Sequence, residues 1–210
     1  MGFVYALQET RSGYFKIGIA KDVEKRIKAL HTGRAERLDV FCEMETPWAS
    51  TCETYIHDRL ENESGSRRVL EGAGTEFFAV SPETLHRVFA EAEEFVSDLK
   101  EAEAQVLELT KVEPSSDLIS ADEAFREVAE DLRKIQKQIS LLTWRKEFLE
   151  NQLKVAIGTH EGIKGVATWK SQLSKRFQQS DFKEEHPELF ERFVAVTRTR
   201  FFRLSKDLRK

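Results

Sequence analysis

The sequence predicts an α+β protein: a small sheet-and-helix domain, then long helices, then a small basic tail of helix and strand. Three observations carry that prediction. Strand-like runs separated by turn residues crowd the first eighty residues. Helical periodicity dominates from residue 82 to residue 157, with a single interruption. Beyond Gly158 the signals are short and mixed, with basic and aromatic residues interleaved.

"FVYAL" is an apolar run of strand formers, and "QETRSG" supplies turn chemistry. "YFKIGI" then alternates in period two, placing Tyr14, Lys16 and Gly18 on one face and Phe15, Ile17 and Ile19 on the other. The expectation is that the apolar face enters the core and the polar face lines a surface or cleft. Asp22 is placed to cap a helix whose Val23, Ile27 and Leu30 fall at i, i+4 and i+7. "RLDVFCEME" reads as a third strand, and a second helix follows Pro47, from about Ser50 to Leu60. "SRRVLEGAGTEFFAV" reads as a glycine-interrupted loop returning in a short strand near Val80. The predicted order is β-β-α-β-α-β over residues 1–80.

Residues 82–111 contain no Gly or Pro after Pro82, and they carry Leu85, Val88, Phe89, Val96, Leu99 and Val106 as a helical stripe. "EPSSDLIS" is a linker. In the next helix Phe125, Val128, Leu132, Ile135, Ile139, Leu142, Leu149 and Leu153 follow steps of three and four, a heptad seam broken at Lys146. Its stripe calls for a cover, either the helix 82–111 or a second copy of the 120–158 helix in a homodimer. Gly158 is a helix-stop residue. The tail has a strand-like "VATWKS" and a short helix after Pro187. The organisation is therefore a front domain over 1–80, helix and linker over 81–119, a heptad helix over 120–158, and a basic tail over 159–210.

The chain of 210 residues carries a formal charge of −4, which excludes a uniformly basic coat for nucleic acid. Its distribution is uneven. Residues 81–160 hold 10 basic against 17 acidic residues, whereas 161–210 hold 12 against 7. Cys42 and Cys52 form no C-x-x-C pair and read as reduced thiols. No apolar run approaches the ~20 residues that span a bilayer. No basic region, apolar stretch and cleavage site follow one another at the start. The expected setting is cytoplasmic, without a membrane partner.

"STCETYIHDRL" puts Glu53, Ile56, His57 and Leu60 on one helical face. An acidic side chain thus shares a stripe with apolar anchors. Ser50 and Glu53 also match the S-x-x-E capping box, so closure of the helix end is a second reading of Glu53. Taken singly, His57 reads as a packed histidine and Arg26 as a solvated arginine.

Taken together, "FVY", "KIG", the helix "AKDVEKR" ending in Arg26, "CETYIH" and "GTEFF" resemble the GIY-YIG nuclease superfamily. Lys16 in place of the second tyrosine points to a phage-associated branch of it. The resemblance covers residues 3–80 and implies a metal-dependent endonuclease acting on DNA. It implies that Glu53 binds one divalent cation, Mg²⁺ or Mn²⁺, with waters in the other positions. Arg26 would clamp the scissile phosphate. Tyr5 would orient or deprotonate the attacking water beside the Lys16 cation. His57 would hydrogen-bond the metal's water or the 5′ side of the cut, and His31 is a further candidate. Two departures stand out. Position 16 is not tyrosine, although Tyr14 shares its face, and Glu76 occupies the region where the standard motif has a late polar residue, usually Asn.

"LLTWRKEFLENQLKVAIGTHEGIKGVATWKSQ", with "HPELFERF" and "RFFRLSK", is similar to the tail that follows the nuclease core in YqaJ-type viral recombinases. That resemblance implies an appendage for assembly or DNA contact, with no second catalytic centre. Lys170 beside Trp169, and Arg198, Arg200 and Arg203 around Phe201 and Phe202, mix cations with aromatics as single-strand and phosphate binding requires. A satellite core with a basic rim explains the same composition. Three functions follow from the sequence. One is a DNA endonuclease of phage or mobile-element origin, one a degenerate DNA-binding module, and one a helix-mediated interaction protein.

Overall fold

The computed structural model describes residues 1–32, 37–69 and 77–205. The chain divides into two compact units, residues 1–112 and 113–210.

The first unit is built on a five-stranded antiparallel sheet. Its strands are β1 (Gly2–Glu9), β2 (Phe15–Ala20), β3 (Leu38–Thr46), β4 (Arg67–Val69) and β5 (Phe77–Ala79), in the order β3-β1-β2-β5-β4. The β1–β2 turn closes through Gly13, whose φ of 73° suits glycine. β1 lies inside the sheet, between β3 and β2, with Tyr5 opposite Gly18 and Leu7 opposite Lys16. Three helices cover the sheet: α1 (Val23–His31), α2 (Ala49–Asn62) and α3 (Pro82–Lys111).

Both faces of the sheet are buried. On one, Val4, Ala6, Phe15, Ile17 and Phe78 meet Cys52, Ile56 and Leu60 of α2 and Leu85, Val88, Phe89, Ala92 and Val96 of α3. On the other, Tyr5, Leu7, Leu38 and Phe77 meet Val23 of α1, with Ile27 and Leu30 packed alongside. A buried second layer stands where the Lys16 face of β2 was expected to line a surface or cleft. Lys16 is only 4% exposed, because α1 folds back over its side of the sheet. Ile19, expected in the core, is 40% exposed. β5 pairs with β2 only at Phe15 and Lys16, so the Ile19 end of β2 is an edge.

α3 belongs to this unit. Arg59 of α2 donates to Glu91 of α3 at 2.9 Å, and Arg87 bridges Glu63 and Glu91 at 2.9 and 2.6 Å. These four charges form a network, which holds better than isolated surface pairs. Tyr55 stacks on Phe95 at 5.1 Å between ring centroids.

The second unit contains α4 (Glu123–Ile157), β6 (Gly162–Ile163), β7 (Ala167–Thr168), α5 (Gln179–Glu185) and α6 (Pro187–Phe193). Asp122 caps α4, accepting from the Phe125 N–H at 2.9 Å, and Gly158 ends it with a φ of 58°. The expected "VATWKS" strand is reduced to the two residues of β7. α5 was not legible in the sequence, since "QSDFKEE" carries a single apolar side chain, Phe182. Phe182 packs at a tilt against both Phe177 and His186, a small aromatic cluster local to the tail.

Residues 113–120 are exposed and outside any helix or strand. Limited proteolysis is expected to cut there first, leaving a resistant fragment that ends near Val112. Earlier cleavage within residues 20–60 would contradict the division.

Candidate active site

Tyr5 and Arg26 come together directly. The Arg26 Nε–H donates to the Tyr5 hydroxyl at 3.3 Å. Each partner is placed by a separate element. β1 buries the Tyr5 ring, 1% exposed, in the layer beneath α1. Asp22 fixes the start of α1 by accepting from the Lys25 N–H at 2.9 Å, and that hydrogen bond holds its carboxyl below the usual range. Arg26 then follows one turn later, beside the stripe of Val23 and Ile27.

Gly18 supplies the third part. It faces Tyr5 across the β1–β2 pair, and a Cβ there would lie 2.6 Å from the Tyr5 hydroxyl and 2.8 Å from Cζ. The glycine of "KIG" is therefore a space requirement: the ring lies across it. Its role is backbone access rather than an unusual φ.

Lys16 lies on the same face as Tyr5, with its ammonium 5.5 Å from the centroid of the Phe77 ring. Tyr14 packs against this layer as well. His31 acts as a structural tie. Its Nε2 accepts from the Leu38 N–H at 3.0 Å, fastening the end of α1 to β3.

Glu53 and His57 stand one turn apart on α2, both half-buried. The adjacent Cys52–Ile56–Leu60 stripe packs on the sheet face opposite Tyr5. The capping-box reading of Glu53 fails. α2 starts at Ala49 with Trp48 as its N-cap residue, and no side chain caps it. Ser50 is inside the helix, where its carbonyl accepts from the Thr54 hydroxyl at 3.0 Å. Glu53 lies past the first turn and cannot close the box.

Arg68 is the neighbour that the sequence did not reveal. It sits on β4, a strand hidden in the expected loop, opposite Phe78 in the β4–β5 register. Its Nη2 lies 3.0 Å from His57 Nδ1 and 2.7 Å from Glu61 Oε1, and the guanidinium lies over the Phe78 ring. A guanidinium only donates, so Nδ1 accepts and the neutral imidazole carries its proton on Nε2. The signal available was alternation in "RRV", which sends Arg68 and Val69 to opposite faces. Glu76 lies outside the described residues.

Among the described residues no three His, Cys, Asp or Glu side chains converge as a metal cluster. A single half-buried carboxylate ligand, Glu53, fits a hard, water-rich cation such as Mg²⁺ or Mn²⁺ better than a dehydrated Zn²⁺ centre. The thiols stand apart from this chemistry. Burial pushes the Cys42 thiol up to about 11 and raises that of Cys52. Neither is expected to react with a thiol reagent at pH 8 until the protein is unfolded in guanidinium. Rapid native labelling would contradict that burial.

The four tail cations, Lys170, Arg198, Arg200 and Arg203, are all exposed. Lys170 pairs with Glu161 at 3.1 Å and Arg198 with Glu113 at 3.0 Å. Surface pairs of this kind are weak enough for phosphate to displace.

Among the described residues no helix is long and apolar enough to cross a membrane. No curated protein and no solved structure is matched by the chain. Residues 2–93 do match the T5orf172 domain, a phage-associated, nuclease-related domain, and the matched span covers the whole sheet, α1, α2 and the opening turns of α3.

Proposed function

We propose that the first unit is a metal-dependent endonuclease hydrolysing phosphodiester bonds in DNA, of phage or mobile-element origin. The observation that carries this reading is the Arg26–Tyr5 hydrogen bond over Gly18, which joins one signature residue from each of α1, β1 and β2. The T5orf172 match over the same residues supports it.

In this reading Glu53 holds the divalent cation, which when bound supplies Lewis acidity at the phosphate and to a bound water. Arg26 meets a nonbridging phosphate oxygen and the charge that grows there in the transition state. Its Nε–H on the Tyr5 oxygen anchors the guanidinium, so the buried phenol acts on the phosphate through the direction it gives Arg26. Lys16 adds positive charge on the same face. His57, with Nδ1 turned to Arg68 and Nε2 buried, acts as a positioning residue one turn from Glu53 rather than as a group that touches the DNA.

A plasmid-nicking assay tests the proposal. Cutting is expected with Mg²⁺ or Mn²⁺ and none in EDTA. A chain that retards DNA in a gel with chelator present, yet never nicks with either metal, would be a binding module instead. Loss of both activities would move the function to the helices.

A further inference from the structure

Most of the seam of α4 is exposed, with Leu132 its half-buried member. Phe125, Val128, Ile135, Ile139, Leu142 and Leu149 are each between 49% and 68% exposed. The helix has 35 residues, about 50 Å at ~1.5 Å per residue. Six large apolar side chains along such a seam are too many for a solvated helix face.

We propose that α4 pairs with α4 of a second copy of this chain as a parallel, in-register, two-stranded coiled coil. The proposal does not rest on the nuclease reading.

The heptad register comes from the seam itself. Phe125, Leu132, Ile139, Lys146 and Leu153 occupy the a positions, and Val128, Ile135, Leu142, Leu149 and Ala156 the d positions. A seam with a strict seven-residue repeat complements another of the same repeat, and an identical helix supplies one. Charge then chooses the orientation. In a parallel pair each g residue faces the e residue five positions on in the partner. That arrangement sets Arg145 against Glu150 twice by symmetry, and the other flanking pairs (Asp131 with Gln136, Gln138 with Thr143) involve no like charges.

Lys146 sets the register. In an antiparallel pair, or a shifted parallel one, its ammonium would stand against an apolar d or a residue. In the in-register parallel pair it meets its own copy, and both long stems carry their charge outward. Its ammonium already lies 3.3 Å from Glu150 at the seam's edge, with the side chain 74% exposed. A single lysine at an a position lowers stability and selects one alignment. The chain's own tail ties to α4 at Arg133, a b position that donates to the Ser205 carbonyl, and of the a and d residues only the neighbouring Leu132 is half-buried.

The test is the mass of the full chain by sedimentation, together with a crosslink. The parent is expected to sediment at twice its 24.3 kDa chain mass at micromolar concentration. Val128→Cys is expected to form a disulfide-linked dimer on mild oxidation, because only the parallel in-register pair brings position 128 to its own copy. Ile135→Asp with Leu142→Asp is expected to return the chain to its single mass with the melting of the first unit unchanged. A monomeric parent overturns the proposal, as does a dimer that survives the double substitution. A dimer whose Val128→Cys form does not crosslink overturns the parallel register. Lys146→Leu separates a weak dimer from none: it is expected to tighten association, and an unchanged mass at every concentration again overturns the pairing.

Discussion

Glu53→Gln is expected to cut DNA at least about a hundredfold more slowly than the parent while folding and binding DNA as well. Substitutions of groups that merely support a metal ligand already cost about 10–100-fold in affinity or activity. Loss of the ligand charge itself sets the larger expectation. Glutamine keeps the shape of glutamate and its helix propensity. Because α2 begins at Ala49 without a side-chain cap, no capping interaction is lost either. Any fall in rate therefore reports the carboxylate and not the helix. Melting temperature, a gel shift in chelator and a nicking assay separate the outcomes. If Glu53→Gln cuts as fast as the parent, the metal assignment is wrong.

Gly18→Ala is expected to damage stability and site together. The new Cβ would stand 2.6 Å from the Tyr5 hydroxyl and 2.8 Å from Cζ, so the ring must move. Tyr5 is fully enclosed and cannot swing out cheaply. Overpacking of this sort costs about 1–3 kcal/mol, and at roughly 4–8 °C per kcal/mol the unit should melt several degrees lower. Displacing the hydroxyl also breaks its bond to Arg26, so cutting should fall further than stability accounts for. The control is Tyr5→Phe, which removes the oxygen but leaves Cζ in place. Gly18→Ala should therefore remain destabilising in the Tyr5→Phe background. If alanine at position 18 is tolerated with full activity, the close packing of ring on glycine is not what the site needs.

Much of the first unit was legible from local pattern. Period two in "YFKIGI" and the i, i+4, i+7 spacing of Val23, Ile27 and Leu30 gave β2 and α1 nearly to the residue. The burial of Lys16 was not legible, because it depends on α1 folding back over a face whose local pattern is polar. β4 escaped for a different reason. Three residues carry too little periodicity to announce a strand, and its pairing with β5 is decided by the sheet edge. With β4 went Arg68, and with it the contact that fixes the tautomer of His57. The Tyr5, Gly18 and Arg26 group fared better, since all three sit on elements that the sequence placed correctly. Glu53 was ambiguous by composition alone, and the structure removes only its capping reading, because the helix starts one residue before Ser50.

The dual character of α3 bears on how this protein could be borrowed for other purposes. Its opening turns supply Leu85, Val88, Ala92 and Val96 to the core, whereas Val106 and Leu109 further on are more than half exposed. An engineer who grafts the first unit onto a foreign targeting domain cannot trim it at the last strand. Such a cut would strip the sheet of one of its two covering helices on that side and leave Phe15, Ile17 and Phe78 as an adhesive surface. The smallest portable cassette ends inside a helix, beyond Val96, and that helix offers a rigid handle for the fusion.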